Sequence, residues 1–100
     1  MEIDILKEES ITIVKIKGRV DTVTAPELEN QVSSLFTELK NTLIFDCAEM
    51  SYISSSGLRI VLITHKQVTG MGKKFIVRNL TPEVLTVFEL TGFSRILTIE

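Results

Sequence analysis

The sequence predicts an α/β domain in which a mixed β-sheet, opened by an N-terminal hairpin, is covered by helices mainly on one face. Three observations carry this expectation. The chain begins with two β-patterned runs separated by a short polar turn. Three amphipathic segments with helix-start signals then alternate with short apolar runs. One of those runs, Leu43-Ile44-Phe45, is apolar throughout, as a strand buried on both faces reads.

The elements follow in order. Residues 2–7 alternate, with Ile3 and Ile5 on one side and Glu2 and Asp4 on the other, which predicts a half-exposed strand. Glu8-Glu9-Ser10 is a turn, and the β-branched run at residues 11–17 is a second strand that Gly18 ends. Thr24-Ala25-Pro26-Glu27 opens a helix. Thr24 can cap and Glu27 can reach back as a capping box, while Pro26 sits in the first turn. Leu28, Val32, Leu35, Phe36 and Leu39 give that helix its apolar face to an end near Lys40-Asn41. After the buried strand, Asp46–Met50 leads into a loop that continues through Tyr52-Ile53 to three serines and Gly57. Residues 58–69 place Leu58, Val61, Leu62, His65 and Val68 near one face of a second helix, which Gly70-Met71-Gly72 stops. Lys74–Arg78 is a strand. Thr81-Pro82-Glu83 opens a last helix with Val84, Leu85 and Phe88 inward, closed by Gly92-Phe93 before an extended tail at Ile96–Ile99. The order β-β-α-β-α-β-α-β contains helical crossovers between strands, so the strands they join are parallel and right-handedly connected.

Composition narrows the function classes. A chain of 100 residues suits one domain, 1–100, and 44% hydrophobic with 24% charged residues is ordinary for a globular fold. A net charge of −2 without a run of basic residues disfavours a nucleic-acid partner. No apolar stretch approaches the ~20 residues that span a bilayer, and the acidic start Met1-Glu2-Ile3-Asp4 is unlike a secretory leader. Membrane partners are therefore not expected, and a single cysteine, Cys47, fits a reducing, cytoplasmic setting.

Catalysis finds little support. His65 is alone in mid-helix, no second His or Cys stands at metal-ligand spacing, and Cys47 ends a buried strand. No nucleophile elbow or phosphate-binding loop occurs. The expectation is a protein without enzymatic activity, cofactor or metal.

The informative segment is Met50–Arg59, which follows a buried strand and opens a helix, where functional loops collect in parallel sheets. A serine there can be a plain helix cap. Capping needs only one hydroxyl, however, and Gly57 in the first turn costs about 1 kcal/mol relative to alanine, which points to a close approach at that position.

At four places the chain resembles the STAS family, typified by bacterial anti-sigma-factor antagonists. Gly18-Arg19-Val20-Asp21-Thr22 is similar to the family's turn before its first helix, and Leu43-Ile44-Phe45-Asp46 to its central strand. Tyr52-Ile53-Ser54-Ser55-Ser56-Gly57-Leu58 resembles its signature, and Gly92-Phe93 falls at the expected distance. The resemblance implies a STAS-like fold and a phosphorylation switch. The unmodified protein would bind an anti-sigma factor that is also a serine/threonine kinase, and the sigma factor would be released. The kinase would modify the second signature residue, Ser55, and end the contact; a metal-dependent serine phosphatase would restore it. Ser54 stands where well-known members carry Asp, so Ser55 ranks first as acceptor, Ser56 second and Ser54 third. The implied partner face holds Asp21, Thr22, Ser54, Ser55, Ser56, Gly57, Leu58 and Arg59. Asp46 is expected to tie its loop in place by accepting N–H bonds. The other reading is a STAS subunit of a transporter or stress-signalling assembly that acts by contact without phosphorylation.

Overall fold

The computed structural model describes residues 1–100. Strand β1 (Glu2–Lys7) pairs antiparallel with β2 (Ile11–Val20) from Glu2↔Lys17 to Lys7↔Thr12, forming the expected hairpin. All other pairings are parallel. β2 lies beside β3 (Thr42–Asp46), β3 beside β5 (Lys74–Arg78), and β5 beside the short tail strand β6 (Thr98–Ile99). The sheet order is β1-β2-β3-β5-β6, with β4 (Met50–Ile53) attached to the far end of β2.

Helices α1 (Ala25–Ser33), α2 (Ser55–Gly70) and α3 (Pro82–Leu90) share one core with one sheet face. Val14 and Ile16, Leu43 and Phe45, and Phe75 and Val77 point into it from the three central strands. Leu28, Val32, Val61, Val68, Val84 and Phe88 meet them from the helices. Period-2 alternation in the strands and 3.6-residue spacing in the helices make this possible. Phe45 and Phe75 pack edge to face at 4.9 Å between ring centroids.

Three expectations are corrected. Gly18 does not end the second strand. It takes φ +85°, the left-handed region that suits glycine, and the register shifts there while the strand runs on to Val20. That extension has a partner: Met50–Ile53, read as loop, is a strand paired with it through Arg19↔Tyr52 and Val20↔Ile53. The first helix stops at Ser33 rather than near Lys40-Asn41. Ser33 and Ser34 donate their hydroxyls to the carbonyls of Asn30 and Gln31 at 3.1 and 2.8 Å, bonding that competes with continuing the helix. A single 3₁₀ turn at Phe36–Glu38 follows, and Leu35 and Leu39 on either side of it are buried all the same.

Candidate functional site

The serine segment is fixed from both ends. β4 closes on buried Ile53, and the next N–H, that of Ser54, donates to the Val20 carbonyl at 2.8 Å. Ser54 keeps extended backbone, and its Oγ accepts the Gly57 N–H at 3.3 Å while its carbonyl accepts the Leu58 N–H at 2.9 Å. It is therefore the N-cap of α2, with its hydroxyl committed to the helix. Ser55 is the first helical residue and is exposed. Ser56 is half-buried. Of the three hydroxyls, the Ser55 group stands freest.

Gly57 and Leu58, expected on the partner face, lie in the interior. A Cβ on Gly57 would come within 2.7 Å of Ile53 Cγ1 and 2.8 Å of Val20 Cγ1. The close approach foreseen at this glycine is thus to the protein's own strands. The two residues seat the helix, and they bring no side chain to the surface. Arg59, in contrast, is exposed. No acidic side chain occupies the first turn of α2, whereas Glu27 and Glu83 do so in α1 and α3.

The turn after β2 is built around Asp21. Its Oδ1 accepts the Val23 and Thr24 N–H groups at 3.0 and 3.1 Å. The bond from the Thr24 backbone is the main reason its carboxyl is held below the usual carboxylate range. The expected capping box does not form. Thr24 has helical backbone and makes no side-chain cap, because its Oγ1 accepts the Asp21 N–H at 2.9 Å and donates to the Arg19 carbonyl at 3.0 Å. Thr22 and Val23 project outward, and Val23 is 85% exposed. Because Val20, next to Asp21, is bonded to Ser54, this turn and the serine segment sit side by side.

One pair at this corner was not legible in the sequence. The Arg19 guanidinium stacks over the Tyr52 ring at 4.2 Å from its centroid, and Arg19 Nε lies 3.8 Å from Asp21 Oδ2. Only the parallel register of β2 with β4 brings Arg19 and Tyr52 together.

Asp46 accepts the Ala48 N–H at 3.1 Å and the Asn79 side-chain amide at 3.2 Å, so it ties its own loop to the residue after β5. Cys47 is 1% exposed, and burial, aided by the Asp46 charge, pushes its thiol up to about 12, far from a reactive thiolate. His65 is half-buried, with its ring centroid 6.4 Å from that of Phe75. The surface clefts run along Lys15, Lys17 and Glu49 or along Lys7, Ser10 and Glu38, away from the serine segment. No three His, Cys, Asp or Glu side chains converge as metal ligands would, and no helix is long and apolar enough to cross a membrane.

Comparison with known proteins shows the family and the fold. A family model described as the STAS domain matches residues 2–100. A Bordetella bronchiseptica protein provisionally named as the anti-sigma factor antagonist BtrV is 30% identical over 93 residues, which cover 93% of this chain and 80% of that protein. The crystal structure of an anti-sigma factor antagonist from Mycobacterium paratuberculosis matches with a TM-score of 0.90 at 23% identity, over 98% of this chain and 83% of that one. The Bacillus cell fate determinant SpoIIAA in its phosphorylated form matches with a TM-score of 0.77 at 17% identity, over 99% and 91% of the two chains. At these identities the two structures establish likeness of fold.

Proposed function

The chain belongs to the STAS domain family, and on that premise we propose that it is a cytoplasmic anti-sigma-factor antagonist switched by phosphorylation of Ser55. Unmodified, it binds an anti-sigma-factor serine/threonine kinase through the corner formed by the serine segment and the Asp21 turn, and a sigma factor is freed. The kinase then transfers the γ-phosphoryl group of ATP to Ser55. A bond forms between Ser55 Oγ and phosphorus, the bond from phosphorus to the ADP oxygen breaks, and the hydroxyl proton passes to a base of the kinase. A metal-dependent serine phosphatase reverses the change by hydrolysis and releases inorganic phosphate. This chain is thus substrate and binding module, with no catalytic role.

The observation that carries the reading is the contrast between Ser54, whose hydroxyl caps α2, and Ser55, an exposed residue one position later whose side chain makes no such bond. The names of BtrV and of the Mycobacterium protein support the antagonist role, and the existence of a phosphorylated SpoIIAA supports the modification. Physics supports the switch. A phosphate adds roughly −1.5 to −2 charges at neutral pH, and the start of a helix tolerates an anion. Buried in a contact, the same group carries a desolvation cost of several kcal/mol that one facing cation does not repay in full, and each ~1.4 kcal/mol weakens binding tenfold.

The test is mass spectrometry after incubation with ATP and the kinase of the same cell, together with pull-downs by variants. Ser55→Ala should stay unmodified and keep the kinase bound, and Ser55→Asp should lose it. Failure of Ser55→Ala to capture any serine kinase sinks the reading. Equal capture of one non-kinase partner by both variants would instead indicate a subunit of a transporter or stress-signalling assembly.

A further inference from the structure

We infer that Arg59 is the intramolecular partner of the phosphoryl group on Ser55, holding it against the surface of α2. The inference rests on the proposed modification of Ser55 and adds a residue outside the acceptor itself. Arg59 follows Ser55 by four positions on one continuous helix. Side chains at that spacing lie about 5–6 Å apart at Cβ and lean toward the helix N-terminus, so the guanidinium of residue i+4 overhangs residue i. Both residues are exposed, and neither needs to leave a packed position to meet.

The Arg59 charge is uncommitted. The ion pairs of the protein join Lys7 to Glu38, Lys17 to Asp4 and Glu49, and Arg19 to Asp21; Arg59 takes part in none. A cation near a helix N-terminus is also opposed by the macrodipole. A dianion four residues ahead reverses that penalty and offers three oxygens to a planar fork of donors. The other charges at this corner are already engaged. Arg19 stacks on Tyr52 beside Asp21, and Asp21 accepts backbone N–H groups of its own turn.

The consequence is regulatory. Arg59 fixes the phosphate on the face that meets the kinase and shields it from hydrolysis, so the off state lasts longer than an unpaired phosphoserine would allow.

The test uses the full chain with phosphoserine installed at position 55 during translation, which removes any dependence on a kinase. The second phosphate pKa, near ~6 for a free phosphoserine, is read by ³¹P NMR. It should lie lower in the wild-type background than in Arg59→Gln, with Arg59→Lys between. Melting temperatures form a cycle: phosphorylation should stabilise the wild-type background more than the Gln background. Dephosphorylation by a serine phosphatase should be several-fold faster in the Gln background. Identical phosphate pKa values and identical melting increments in wild type and Arg59→Gln would overturn the inference. A kinase that leaves Ser55 untouched would overturn the proposed function instead and leave this measurement standing.

Discussion

Ser54 and Ser55 are chemically identical neighbours, and the helix boundary between them gives them opposite roles. Ser54 spends its hydroxyl on the Gly57 N–H, while Ser55 presents its own to solvent. Ser54→Ala should therefore lower unfolding stability by about 1 kcal/mol in urea titrations. Ser55→Ala should change it by less than ~0.5 kcal/mol while leaving the protein without its proposed phosphate acceptor. Gly57 sets the opposite limit. Alanine is normally the better helix former by about 1 kcal/mol, but here its methyl would strike the buried side chains of Val20 and Ile53. Overpacking of that kind should outweigh the propensity gain and leave Gly57→Ala destabilised by roughly 1–3 kcal/mol, again read by urea. At this scale the ranking of Ser55 above its neighbours came from family resemblance. What the structure adds is that the Ser54 hydroxyl is turned to a backbone amide, a matter of backbone angles that a run of identical residues does not encode.

Elements with a long, clean period were legible: the opening hairpin, the buried run of β3, and the two later helices with their serine and threonine caps. β4 was not. It has four residues, Met50 and Ile53 inward with Ser51 and Tyr52 outward, too few to display a period. Its partner is the piece of β2 beyond a glycine that looked like a terminus. The end of α1 was hidden for a different reason. Leu35 and Leu39 are buried as a continued helix would bury them, but across a 3₁₀ turn. The bulge at Gly18 makes a prediction at this scale. A side chain there meets no hard obstacle, with Met1 Cα at 3.6 Å, so the penalty of Gly18→Ala is that of φ +85° alone. The expected loss is about 1–2 kcal/mol. Amide exchange should accelerate most in β4 and the end of β2, because their pairing begins where the bulge turns the strand.

Across the whole molecule, pH gives a global readout of the same corner. The Asp21 carboxyl is held below its usual range, first by the Thr24 backbone bond. A carboxyl depressed in the folded state contributes stability above its unfolded pKa of about 3.9. That contribution fades as pH falls through the lower folded value. Asp21→Asn should therefore melt below wild type at neutral pH, and the gap should close as melts are repeated in increasing acid. A constant gap at every pH would mean the carboxylate charge plays no part in the turn. The seating of α2 carries one more consequence. With Gly57 pressed against Val20 and Ile53, the helix has no slack at the end where Ser55 stands, so it cannot slide or tilt there without unpacking the core. If Ser55 is modified as proposed, the signal is therefore carried as a label and not as a movement. On the proposed switch, the discrimination between modified and unmodified protein then belongs to whichever protein reads the label, because the packed start of α2 leaves little room for a change of shape.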